Sequence, residues 1–196
     1  MGLARQERAE ETRRVILDAA AAEFDEVGFD AARLDRIIAR TRLSKGAVYF
    51  HFASKLDLAA ELVAGKYTNW PVLIAEVTST GLRGIDAATE ITRRVGQQFV
   101  TDVRVRAAMR LSQTVLPPAV EENPYDRWIE LIAGFVQQGI EDGDLDPATH
   151  SRDVATVAVQ GFFGAYMIGH ELGRLETLND DVERLWALVA SSAKSR

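Results

Sequence analysis

No cysteine occurs among the 196 residues, an absence that removes disulfides, thiolate nucleophiles, iron–sulfur ligation and cysteine-based zinc sites together. Histidine is nearly as scarce, with three copies at positions 51, 150 and 170 and no pair at metal-ligand spacing. The acidic stretch holding Asp142, Asp144, Asp146, His150 and Asp153 therefore reads as a solvated turn, and neither a metal nor a cofactor is expected. Catalytic signatures are missing too: the chain lacks G-x-S-x-G, H-E-x-x-H, a Walker lysine loop and any strand that could open a dinucleotide fingerprint. An enzyme is not expected. The uncharged run VATVAVQGFFGAYMIG, residues 154–169, falls short of the ~20 apolar residues of a membrane span and includes Gln160 and three glycines. The opening MGLARQERAEETRR carries four arginines and no apolar run, so no secretory leader is expected and the cytoplasm is the expected location.

What is present is material for a globular helical protein. Apolar residues make up 47% and charged residues 27%, enough for a core and unlike a disordered chain. The net charge of −6 argues against indiscriminate nucleic-acid binding, but the charge is unevenly placed. Between Arg33 and Lys55 six basic residues face a single acid, Asp35. A charge run alone is more often a solvated face than a nucleic-acid footprint, so the apolar pattern has to decide.

That pattern has a helical period throughout, without the sustained alternation of a half-buried strand, and the expected fold class is all-α. A first helix from about Ala9 to Val27 places Ile16, Ala20, Phe24 and Val27 on one stripe, with Gly28 as its C-terminal stop. A short helix carrying Leu34, Ile37 and Ile38 follows. After a tight connection at Thr41–Leu43, Ser44 caps a second short helix from Lys45 to about Phe50. Ser54 caps a longer one, with Pro71 as the expected terminator. Residues 72–85 are left open between helix and connection. Helices at about 86–101, 102–113, 124–141, 154–169 and 180–192 complete the chain.

Two short helices at 33–40 and 45–50, separated by a few residues, have helix-turn-helix spacing. In the second, Lys45 stands at the start, Gly46 offers no side chain where DNA could approach, and Tyr49 and His51 bring polar tips. Amides following Ser44 and Ser54 are suited to phosphate oxygens, with Lys45 and Lys55 adding charge. His51, flanked by Phe50 and Phe52, reads either as a DNA contact or as a structural filler, the former favoured.

The run GFDAARLDRIIARTRLSKGAVYFHFASKLDL resembles the DNA-binding segment of TetR family transcriptional repressors, with K-G-x-x-Y-x-H-F as recognition helix, a likeness extending over residues 10–62. The resemblance implies an N-terminal three-helix DNA-binding domain, residues 1–53, and a helical domain for ligand binding and dimerisation, residues 54–196. It places Lys45, Gly46, Tyr49 and His51 on the recognition helix and Lys55 at a phosphate-contacting helix start. Two positions depart from the family: Arg33 stands where Ser or Thr is usual, and Arg42 where Gly is usual in the turn. Both are expected among the DNA-binding residues, Arg33 as a phosphate contact and Arg42 tolerating the turn geometry at some cost. Within the family, ARQERAEETRRVILDAAAAEFDEVGFDAARLDRI, YFHFASKLDL, RAAMRLS and PYDRWIELI are similar to the γ-butyrolactone receptors of actinomycetes. That likeness implies that Trp128 lines a hormone pocket; Gly164-Ala165 replaces a frequent Gly-Thr, removing a hydroxyl.

Around Trp128, the residues Phe99, Ile132, Phe135 and Phe163, with Gln97 and Gln160 as orienting polar groups, are the expected lining for a small apolar signalling ligand. An apolar helix over 154–169 needs cover on both sides, and the last helix adds a stripe. Phe162, Ala165, Val182, Trp186 and Val189 are accordingly expected in a homodimeric four-helix bundle. The expected function is a dimeric repressor that binds a palindromic double-stranded operator and is released by a ligand. A regulator of another molecule, a pseudo-receptor and a helical interaction module without DNA binding remain as alternatives.

Overall fold

The computed structural model describes residues 2–65, 70–115 and 124–192, and among these every regular element is helical. Ten α-helices run in order: α1 (Gly2–Ala31), α2 (Leu34–Thr41), α3 (Lys45–His51), α4 (Lys55–Gly65), α5 (Trp70–Ser79), α6 (Gly84–Thr101), α7 (Val103–Thr114), α8 (Pro124–Glu141), α9 (Ser151–Glu171) and α10 (Leu178–Ser192). They form two compact units.

The first unit gathers α1–α4 and takes in α7 from much further along the chain. Ile16, Ala20 and Phe24 of α1 meet Ile37 of α2, Val48 of α3, Leu58 and Leu62 of α4, and Ala107, Ala108 and Leu111 of α7 in one core. Packing thus divides the chain elsewhere than after residue 53, because α4 and α7 supply part of the core on which the helix-turn-helix rests. Gly28 interrupts α1 without ending it. Its backbone, at φ 76 and ψ 173, breaks the helix, and one further turn continues to Ala31.

That break frees the Asp25 carbonyl, the end of α1 frees those of Phe29 and Ala32, and two cations satisfy them. Arg110 of α7 donates from Nη1 to the Asp25 carbonyl at 2.9 Å. Lys55 donates from Nζ to the carbonyls of Phe29 at 2.6 Å and Ala32 at 3.0 Å, lying over the Phe29 ring. Positive charge at a helix C-terminus is also favoured by the helix dipole. Two more arginines of α7 pair with α1: Arg104 with Asp18 at 2.6 Å and Arg106 with Asp25 at 2.9 Å.

The second unit contains α5, α6, α8, α9 and α10. The open stretch 72–85 resolves into the body of α5, a turn, and the start of α6. Pro71 begins α5 rather than terminating α4, in a first turn where its missing N–H has no intrahelical partner to lose. Phe99 of α6 lies against Phe162 and Tyr166 of α9, with ring centroids 5.6 and 4.5 Å apart. α6 comes close to α10 at Gly96, where a Cβ would stand 2.7 Å from Asn179 Oδ1. No described helix is long and apolar enough to cross a membrane.

Glu90 on α6 illustrates how charge is used in this unit. It receives hydrogen bonds from Arg93 Nε at 2.8 Å and Arg94 Nε at 2.7 Å, while Arg94 also reaches Glu76 on α5 at 3.2 Å. The Arg93 hydrogen bond, followed by that of Arg94, holds the Glu90 carboxyl down at about 2. A lowered carboxylate value stabilises the fold above the unfolded-state value near 4.5, and that contribution is lost as the pH falls through about 2. Glu90→Gln is expected to cost about 1 kcal/mol near neutrality, given partial solvent screening. In urea titrations the gap between variant and wild type should close progressively from pH 5 to pH 2; a gap constant across that range would remove the charge from the account.

Candidate nucleic-acid interface and ligand unit

The helix-turn-helix is built by local hydrogen bonds that its sequence supplies. Thr41 Oγ1 donates to the Ile38 carbonyl at 2.7 Å and accepts from Leu43 N at 3.1 Å, fixing the turn. Arg42 takes the left-handed conformation there, φ 59, at about 1–2 kcal/mol for a residue with a Cβ. Ser44 Oγ accepts from Ala47 N at 3.2 Å, as its capping role requires. Ser54 and Asp57 exchange bonds, Ser54 Oγ accepting from Asp57 N at 3.2 Å and Asp57 Oδ2 from Ser54 N at 3.0 Å.

Anchoring and presentation divide α3 cleanly. Val48 and Phe52 are buried, while Lys45, Gly46, Tyr49 and Phe50 face outward. Lys45 Nζ lies 5.8 Å from the Tyr49 ring centroid and 3.7 Å from Asp35, an exposed pair that solvent screens. His51 is half-buried with its ring edge-on to Phe50 at 5.2 Å. Arg33 is exposed in extended backbone at the start of α2 and makes no side-chain cap there.

Three of the basic residues counted in this segment are turned to internal use. Arg40 bonds Glu23 at 3.1 Å and also Glu26, and Arg36 stands 3.7 Å from Glu23, whose carboxylate is buried. Lys55 is the correction with most consequence. Where the sequence points to a phosphate contact, the structure gives an internal role, its ammonium held on the Phe29 and Ala32 carbonyls at the end of α1. Phe50, read from sequence only as a neighbour of His51, is 82% exposed and joins the outward face. Its place one turn after Gly46 was the available signal.

The expected dimer residues also redistribute. Phe162, Val182 and Trp186 are each no more than 2% exposed, so their side chains belong to the unit's own core and are not available to a partner. Ala165 and Val189 are half-buried. The outward stripe of α9 instead carries Val157, Gly164, Met167 and Ile168, close in angle around the helix, with Leu172 just beyond and Leu188 exposed on α10. A groove of about 420 Å³ runs along this face, lined by Gly161, Gly164, Ala165, Ile168 and the neighbouring Arg174. The uncharged helix is thus covered on one side and bare on the other.

Of the expected ligand residues, Trp128, Phe99, Ile132 and Phe135 are buried and Phe163 half-buried. Trp128 rests against Trp70 of α5, with centroids 4.9 Å apart, and Phe163 meets Tyr125 at 5.0 Å. The two glutamines do not join them. Gln97 is exposed and its Oε1 accepts from Asn179 Nδ2 at 2.8 Å, while Gln160 lies on the outward stripe of α9. Each is two residues from a buried phenylalanine, Phe99 or Phe162, a step of about 200° around the helix to the opposite face.

Residues 16–62 match the model for bacterial regulatory proteins of the tetR family. The A-factor receptor protein of Streptomyces griseus is 28% identical over 97% of this chain, which spans 66% of that protein's length. A solved γ-butyrolactone receptor, an ArpA-like protein, is 26% identical with a TM-score of 0.70, covering 91% of this chain and 97% of its own. The full-length tetR regulator TylP from Streptomyces fradiae is 32% identical with a TM-score of 0.60, over 97% of this chain and 83% of that one. With its helix-turn-helix, its helical second unit and these relatives, the chain belongs to the TetR family of bacterial regulatory proteins.

Proposed function

We propose that the protein is a homodimeric transcriptional repressor, cytoplasmic and without catalytic activity, that holds an inverted-repeat operator and lets go when a small apolar ligand of the γ-butyrolactone kind binds. The observation that carries the DNA-binding half is the outward face of α3. Gly46 there has no protein atom within 4 Å of where a Cβ would stand, so nothing inside the chain requires a glycine. Gly46 lies in the first turn of α3, and bare backbone there leaves room for close approach of DNA. DNA recognition rests on residues 1–53, with α4 and α7 as packing support, and ligand binding and dimerisation fall to the second unit.

A second copy covers the outward stripe of α9 and Leu188 of α10, giving a two-fold bundle of four helices. Two recognition helices related in this way enter successive major grooves ~34–36 Å apart, or a multiple of that. Ligand specificity comes from the aromatic interior around Trp128, without the two glutamines. Coupling requires the ligand to favour a state that holds the operator less well, and the operator then weakens the ligand by the same factor.

The test is operator binding by DNA from the protein's own upstream region, titrated with salt and with butyrolactone, butenolide and furan ligands. Lys45→Ala and Tyr49→Ala should each lower affinity about tenfold, with Lys45→Ala also flattening the salt slope by about one charge. Unchanged affinity in both variants refutes the DNA assignment. Trp128→Phe, which keeps an aromatic ring in the core, should blunt ligand release while leaving ligand-free DNA affinity intact. Equal ligand sensitivity in variant and wild type removes Trp128 from the pocket.

A further inference from the structure

We infer, resting on the DNA-binding reading above, that Phe50 is a sequence-reading residue: its ring packs against the 5-methyl group of a thymine at a fixed place in each operator half-site. An 82% exposed phenylalanine in a folded protein leaves most of its ring in water, and burial of that ring against a partner recovers the lost free energy. The placement of the ring is specific. Val48 and Phe52 anchor α3 inward, so the orientation of the helix about its axis is fixed by the core. Phe50 follows Gly46 by four residues and therefore stands over the same stretch of helix surface, one turn on. At Gly46 the helix surface is bare backbone with open space above it. A partner that approaches this bare strip closely meets the Phe50 ring at its end.

The neighbours determine what kind of contact that is. Lys45 and Tyr49, adjacent to one another on the other side of the strip, carry the groups suited to phosphates and to base-edge acceptors. Phe50 has neither donor nor acceptor, and the ring of His51 meets it edge-on at 5.2 Å. Within the major groove the apolar feature that distinguishes one base pair from another is the thymine methyl. A phenyl ring on a helix that enters that groove is complementary to it.

The experiment uses the full-length protein and duplexes recovered by it from random-sequence DNA. In the probes, symmetric pairs of dT are replaced one pair at a time by dU, which deletes the methyl group and nothing else. Wild type should lose about fourfold in affinity per half-site, about fifteenfold for the dimer, at one dT pair. Phe50→Ala should bind the parent duplex more weakly by a similar factor and be indifferent to dU at that pair. Because the ring is exposed, the thermal midpoint of Phe50→Ala should match wild type, which separates a reading role from a folding defect. Binding of every dU duplex at the parent affinity, or the same dU loss in Phe50→Ala as in wild type, overturns the inference while leaving DNA binding in place. Failure to recover any duplex overturns the DNA-binding reading itself and this inference with it.

Discussion

Ile168→Glu combined with Leu188→Glu is expected to give a folded monomer that holds an operator at least a hundredfold more weakly than wild type, whereas Phe162→Glu is expected not to fold its unit. Ile168 and Leu188 are 57% and 68% exposed, so in an isolated chain their replacement by glutamate desolvates no charge. In a dimer closed over α9 and α10 the same carboxylates lie at a two-fold interface, close to their own symmetry mates, and association is lost. Loss of the dimer removes the second half-site contact and with it most of the affinity for an inverted repeat. Phe162 differs in kind. It is 1% exposed, in ring contact with Phe99 at 5.6 Å and Phe163 at 5.2 Å, and a carboxylate there is buried without a partner at a cost of several kcal/mol. Sedimentation with circular dichroism distinguishes the outcomes. A dimer of normal DNA affinity from the double variant would place the subunit interface elsewhere.

Gly28→Ala should produce the second large effect, a loss of about 1–3 kcal/mol in the stability of the first unit with weaker operator binding. The φ of 76 with ψ of 173 lies in a region that is essentially reserved for glycine. A Cβ would in addition stand 3.0 Å from Nη2 of Arg110, the side chain that bonds the Asp25 carbonyl. Strain and displacement of Arg110 therefore act together. Arg110→Ala loses its own bond to the Asp25 carbonyl but relieves the steric part of the Gly28→Ala effect, so the double variant should be less destabilised than the sum of the single ones. Denaturant midpoints of the four proteins test this. Strict additivity would mean that Arg110 moves aside freely and the backbone conformation alone carries the cost.

What could be read from residue order was mostly what repeats along it. The 3.6 periodicity identified α2, α3, α7 and α8 nearly to their ends, and Ser44 marked a cap that forms as expected. Contacts between distant segments were not legible in the same way. Lys55 stands at a helix start with the appearance of a phosphate contact, and only the unpaired carbonyls at the end of α1 explain why its ammonium turns inward. The uncharged helix correctly signalled a bare face, but which residues lie on it depends on rotation. Phe162 and Ile168 are indistinguishable by hydropathy, and they end on opposite sides. Gln97 and Gln160 fail for the same reason: composition put polar groups among rings, while helix geometry put them behind the rings. Phe50, between Tyr49 and His51, carries no signal of exposure in its composition, and only its angular position on α3 sets it apart from Val48 and Phe52.

The assembly of the first unit from two distant stretches has a consequence for the order in which the protein is made. Helices α1–α4 are synthesised first, but Ala107, Ala108 and Leu111, which complete their core, and Arg110, which satisfies the broken turn of α1, emerge dozens of residues later. Until then the nascent helix-turn-helix has its recognition face in place and part of its apolar underside in water, a state that favours binding by chaperones over docking on DNA. A product truncated after α4 is expected to be cleared by proteolysis instead of persisting as an unregulated DNA binder. Completion of the core beneath the helix-turn-helix is thereby made to wait for translation to pass α5 and α6, the first helices of the second unit.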